Sequence, residues 1–439
     1  DPRTGEILKG NVRLGSLRIR QDYTIASGLV PDDDTALAAN DSEAAKMALA
    51  RIRQLAAHEV GHTLGLDHNM AASTYDRASV MDYPSPLVEI KDGKLDLSHA
   101  YTTSIGAYDK WAIRFGYADL SPEELHQLVE EGIRNGMLFV KDSDARPVSA
   151  AHPLGSVWDN GSDPVAMLRH EIEVRRIALE HFGLQSIAVG TPLSMLEAKL
   201  VPLYLHHRYQ LEAAAKSIGG VYFTYAVKTA NGVSPTPVRD VVPAARQRDA
   251  IAAVVSTLDP KFLAIPDSIL KLIPPPAHGY ERGTAELFNR RNDPVFTPEA
   301  AASASADITL TALFDPQRAA RMNSFGQPPF TEAVDAAIRT VWRQPVPATL
   351  GGISRAVRSL LVAKLMNLAA DANVDPGVRA VATESLRSLR AYVETKPATG
   401  LDVAQQHATR DDIDRFLARP DAPRKQSEPP PIPPGPPIG

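Results

Sequence analysis

The eleven residues HEVGHTLGLDH at 58–68 constrain the fold more than any other stretch, because they place three of the chain's twelve histidines where a helix must both form and stop. On a helix, residues four apart share a face with an axial rise of about 6 Å, so His58 and His62 can aim their imidazoles at one ion. His68 comes six residues later, and on a continued helix it would face away. Gly65 removes that difficulty. Glycine enters the left-handed region, ends the helix and swings the chain back, so that His68 can close a three-histidine set. Such a set leaves a fourth position open, the arrangement of a catalytic zinc site and not of a structural one. Glu59 projects about 100° around the helix from His58 and can reach a zinc-activated water without becoming a ligand, which puts a general base beside it. The competing reading is three histidines satisfied by ordinary packing.

The chain has no cysteine, so any metal site must be built from His, Asp or Glu, and no disulfide can hold the fold. That absence suits a cytosolic or a cysteine-free exported protein equally. A net charge of -5 over 439 residues, with no lysine- or arginine-rich run, argues against nucleic acid or an anionic membrane surface as partner. No apolar run approaches the roughly 18 residues of a membrane span. The start, DPRTGEILKG, carries neither an initiator methionine nor a signal pattern, and is read as the edge of a piece of something longer.

Around Gly10 and Gly15, alternation at Val12, Leu14, Leu17 and Ile19 predicts one or two β-strands within the first 25 residues. From an N-cap at Asp41 or Ser42, the stretch SEAAKMALARIRQLAAHEVGHTLG predicts a long helix ending near Gly65. Residues 69–103 read as loop, followed by a helix at 104–117 and another opened by SPEEL at 121–125. Helical period then recurs at 164–182, 191–217, 244–258, 299–322, 330–343, 352–370, 376–395 and 401–418, interrupted by a possible hairpin at 219–232 and a proline-punctuated stretch at 265–279. The proline-rich end at 427–439 reads as an extended tail.

The motif HEVGHTLGLDH resembles the extended HExxHxxGxxH signature of the metzincin metalloendopeptidases. That resemblance implies zinc held by His58, His62 and His68, Glu59 as general base, and a methionine turn under the metal, for which ASVMDYP at 78–84 supplies Met81. Tyr83, two places after the methionine, is similar to the tyrosine of the astacin- and serralysin-like branches, where it binds the metal or steadies the oxyanion; a buried packing tyrosine is the alternative. With DPRTGEILKG, SVMDYP, YDKWAIRFGY (108–117) and RYQLEAAAKSIGG (208–220), the chain resembles large exported bacterial zinc metalloproteases up to about residue 395. The resemblance implies an exported, periplasmic or cell-surface protein acting on a peptide or protein substrate.

The fold class that follows is α+β: a metzincin-like catalytic part with few N-terminal strands, the long zinc helix, the methionine turn and a C-terminal helix, then a mainly α-helical region. The expected divisions are 1–118 for the catalytic part, its upper subdomain shortened because only 57 residues precede His58, 119–420 for the helical region and 421–439 for the tail. Two other functions fit the same residues: a helical binding or scaffold protein with a non-catalytic zinc site, and a zinc hydrolase acting on a non-peptide bond. Elsewhere, His206 and His207 are adjacent and cannot form an i,i+4 pair, so they read as surface or packing residues. DNGSD at 159–163 reads as an Asx-type turn or a cation loop, and PDDDT at 31–35 as a solvated loop or a second metal site. Asp109 can brace a ligand or the methionine turn, or simply start its helix.

Overall fold

The computed structural model describes residues 1–31, 42–230, 232–280, 287–289 and 294–419. The long helix is Glu43–Thr63, capped by Ser42, whose Oγ accepts from the Ala45 amide at 3.1 Å. Beside it packs an entry helix, Ser16–Leu29, where strands were expected. Arg18, Gln21, Asp22, Ile25, Ala26 and Leu29 are among its buried positions, a spacing of three and four that a helix produces and a strand does not. The misreading has a physical cause: the first half of the buried face is polar, so apolar periodicity follows the exposed Leu17 and Ile19 instead. Residues 6–15 run without helix or strand and pass the end of the long helix, where a Cβ on Gly10 would press on Thr63.

Beyond the site the chain is mainly helical, with three two-stranded antiparallel ribbons among the described residues. One ribbon, Glu89–Lys91 with Lys94–Asp96, lies in the stretch read as loop, and its Asp92-Gly93 turn has φ of +50° and +74°, as a tight hairpin requires. The hairpin expected at 219–232 divides its strands. Val221–Phe223 pairs with Arg239–Val241, and Val227–Thr229 pairs with Gly232–Ser234. The helix expected at 191–217 breaks into Leu196–Tyr204 and Arg208–Ala215, because Arg175 Nε takes the Tyr204 carbonyl at 2.7 Å that a continuing helix would have used. Pro316 similarly separates Pro298–Leu313 from Pro316–Phe325. Helices Pro122–Arg134, Pro164–His181, Ala244–Ser256, Gly351–Ala370, Pro376–Thr395 and Leu401–Ala418 lie where the pattern puts them.

One continuous apolar core runs from Ile25 on the entry helix to Phe416 on the last helix, with a smaller cluster of Met70, Ala71, Tyr83, Val140, Ala145 and Val157 beside the histidines. Among the described residues no helix is long and apolar enough to cross a membrane. The proline-rich tail and most of PDDDT lie outside the described residues.

Candidate metal centre

The end of the long helix is built for a reversal. Gly65 has φ +82°, its amide reaches the His62 carbonyl at 3.0 Å, and the Leu66 amide reaches the Gly61 carbonyl at 3.1 Å, the paired bonds of a Schellman cap. The chain then brings His68 back over the helix, with its Nε2 2.9 Å from that of His62 and 3.3 Å from that of His58. Four ligands around zinc at about 2.0–2.1 Å give a tetrahedral edge of roughly 3.3 Å, close to these separations.

Each histidine commits its other nitrogen. His58 Nδ1 lies 2.6 Å from the Val80 carbonyl, His62 Nδ1 2.9 Å from the Leu66 carbonyl, and His68 Nδ1 2.6 Å from Asp142 Oδ2. With the proton on Nδ1 in all three, three Nε2 lone pairs point at one another, a repulsive arrangement that a cation relieves. Burial also pushes His58 down to about 4, so at neutral pH it is the uncharged imidazole that a metal requires. Among the described residues, the cluster His58, His62 and His68 is the group of side chains that can hold an ion, and its donor set suits zinc.

The methionine turn lies beneath. Met81 is fully buried, and a Cβ on Gly61 would collide with its Sδ, so the glycine between the two helix histidines lets the turn approach. Asp109, 1% exposed, holds this turn: its carboxylate accepts from Ser79 Oγ at 2.5 Å, the Val80 amide at 2.9 Å and the Gly106 amide at 2.8 Å. It therefore starts its own helix and braces the turn at once, and Val80, fixed by its amide, offers its carbonyl to His58. Glu59 is half-buried between the helix histidines. Tyr83 is buried, with its ring 5.1 Å from that of His58 and 4.7 Å from that of His68.

Two residues of this site carry no signal in the sequence. Asp142 and Arg146 lie on and just after the short helix Asp142–Ala145, 74 positions or more beyond His68, and no local pattern marks them. Asp142 joins His68 to Arg146 through its second oxygen, 2.8 Å from Arg146 Nε, and the Arg146 guanidinium sits 4.7 Å over the Tyr83 ring. The buried Lys216 holds the short helix from below, donating to the Ala145 carbonyl at 2.5 Å. Asp142→Asn keeps the shape but weakens the acceptor for His68, so the affinity of the three histidines for an added divalent ion such as zinc is expected to fall by about 10–100-fold in competition with a chromophoric chelator. An unchanged affinity would detach Asp142 from the metal site.

The remaining candidates resolve as structure. Asp163 of DNGSD caps the helix Pro164–His181 through the Val165 and Ala166 amides, and Asp159 accepts from Ser73 Oγ at 3.2 Å. His206 lies 2.7 Å from Glu171, both side chains 5% exposed, and His207 packs edge-on to Phe262.

A family model described as Met-zincin matches residues 40–347, a span that contains the long helix, the methionine turn, Asp142 and much of the helical region. No curated protein and no solved structure matches the chain. Met-zincins are metalloproteases in which the metal is zinc, and among the described residues the converging histidines are a group that could bind one. On the extent of that match, the chain belongs to the Met-zincin family.

Proposed function

We propose that the protein is a zinc-dependent endopeptidase in which His58, His62 and His68 hold the metal and Glu59 is the general base. The observation that carries this reading is the convergence of three Nε2 atoms whose Nδ1 partners are all engaged, on a helix where half-buried Glu59 directly follows His58. Bound there, zinc would polarise the scissile carbonyl and acidify water. The Glu59 carboxylate takes a proton from the attacking water and passes it to the leaving amine nitrogen. Tyr83 donates its hydroxyl to the carbonyl oxygen as charge develops there, with its ring held by Arg146. Met81 forms an apolar floor that shapes the centre without taking part in proton transfer.

Residues 6–15, which form neither helix nor strand, can add a substrate strand through main-chain bonds. Residues 1–118 carry the metal side chains in this reading, and the region from 119 onward completes them through Asp142 and Arg146. Action outside the bacterial cytoplasm is the setting that the resemblance to exported proteases favours.

An unstructured protein such as casein is the direct test. Cleavage is expected with zinc, lost with a chelator or a hydroxamate, and restored by added zinc. Stoichiometric zinc without cleavage would favour a scaffold with a structural metal, and turnover confined to non-peptide esters would favour the other hydrolase.

A further inference from the structure

Tyr83 is fixed by its backbone before its side chain is considered. Its amide donates to Asp82 Oδ1 at 2.7 Å, and its carbonyl accepts from the Trp158 amide at 2.6 Å. The ring then lies against the imidazoles of His58 and His68, as part of the wall of the metal centre. What is left to decide is where the hydroxyl hydrogen points.

The Arg146 guanidinium stands 4.7 Å over that ring and hydrogen-bonds the phenol. Partial burial opposes its charge, but the bonds to Asp142 and Tyr83 outweigh burial and raise its pKa above the ordinary arginine value, so it is a cation at any working pH. A guanidinium has five N–H donors and no acceptor. In this bond the phenol oxygen must accept, and the phenol hydrogen cannot point at Arg146. Among the described residues no carbonyl or carboxylate takes that hydrogen either. The hydroxyl is left to donate to an acceptor that enters at the histidines, its oxygen polarised by the cation behind it.

The guanidinium is itself aimed. Its Nε donates to Asp142 Oδ1 at 2.8 Å, while Asp142 Oδ2 meets His68 Nδ1 at 2.6 Å. One carboxylate thus orients a histidine of the metal centre and the cation over Tyr83, and a planar fork held along one edge has little freedom along the other. The helix that carries Asp142 is anchored by Lys216, whose Nζ donates to the carbonyls of Ala145 at 2.5 Å and Gly155 at 2.9 Å. Folding stability is not what the Asp142–Arg146 pair supplies, because the two side chains are 36% and 39% exposed and ion pairs so placed contribute little.

Resting on the endopeptidase reading, we propose that Arg146 is a positioning residue: aimed by Asp142, it donates to the Tyr83 oxygen and so commits the Tyr83 hydrogen to the oxyanion that forms at the cleaved carbonyl. His68, Asp142, Arg146 and Tyr83 then make one connected chain, which keeps the oxyanion donor in register with the histidines.

A double-mutant cycle on a peptide substrate tests this. Tyr83→Phe is expected to lower kcat by about 10²–10³-fold with KM little changed. Arg146→Met lowers kcat by about tenfold, and in the Tyr83→Phe background it costs less than about twofold, because its effect passes through the hydroxyl. Zinc affinity of Arg146→Met, measured against a chromophoric chelator, stays within about threefold of the parent, since His68 keeps its acceptor.

Equal losses in the two backgrounds mean that Arg146 acts apart from Tyr83, and a fall in zinc affinity large enough to account for the lost rate means that it only steadies Asp142. Either result overturns the positioning role while the endopeptidase stands. If no peptide is cut, a phosphinic peptide, whose tetrahedral anion resembles the oxyanion, takes the place of the substrate in calorimetry with the zinc-loaded protein. Weaker binding in each single variant with no further loss in the double variant supports the role of Arg146 independently of turnover. Equal binding by all four proteins, or additive losses, overturns it, and a parent that neither cuts nor binds ends both readings.

Discussion

Glu59→Ala is expected to keep stoichiometric zinc and the fold while peptide hydrolysis falls by about 10²–10⁴, the range that a positioned general base contributes. The expectation follows from the division of labour at the centre. Every Nδ1 of the three histidines is anchored by another group, to the Val80 and Leu66 carbonyls and to Asp142, so removing Glu59 disturbs none of the ligand orientations. Metal content by atomic absorption and kcat on a peptide substrate should therefore separate. Parent-rate cleavage by the variant would end the assignment of Glu59, and loss of zinc along with activity would mean that the carboxylate helps to hold the metal.

The second large effect belongs to Asp109, which never approaches the metal. Asp109→Ala leaves the Ser79 hydroxyl and the Val80 and Gly106 amides without their buried acceptor. Each such donor costs about 1–3 kcal/mol, so urea denaturation should show a loss of about 3–5 kcal/mol. The room for repair is small, because a Cβ on Gly106 would already collide with the Ala78 carbonyl, which locks the helix start against the turn. Zinc affinity falls as well, since the Val80 carbonyl that receives His58 Nδ1 moves with its amide. Asp109→Asn is expected to retain part of the loss, because its Oδ1 can still accept from the Val80 and Gly106 amides while its NH2 donates to the Ser79 hydroxyl, which can accept. Unchanged stability in Asp109→Ala would show that the methionine turn holds itself.

The metal helix and its reversal were legible because their causes are local. Ser42 caps by a side chain three residues from its target, histidines four apart share a face by helix geometry, and Gly65 takes a conformation that other residues resist. The entry helix was not legible. Its buried face opens with Arg18, Gln21 and Asp22, residues that ordinarily face water, and here Arg18 and Asp22 turn inward to a small cavity lined also by Arg51 and Arg208. The Asp92-Gly93 hairpin did carry its signal in the sequence, obscured by the many turn-forming residues around it.

By itself, then, the sequence singled out His58, His62 and His68, the neighbouring carboxylate of Glu59 and the methionine turn, because those depend on spacing within one helix and one turn. Only the tertiary structure decided what holds them. Asp142 reaches His68 from 74 positions away, Arg146 settles over Tyr83, and Asp109 reaches back to the methionine turn. A hydrogen bond across such a separation is set by how the helical region packs onto the metal helix, and no local propensity encodes that packing.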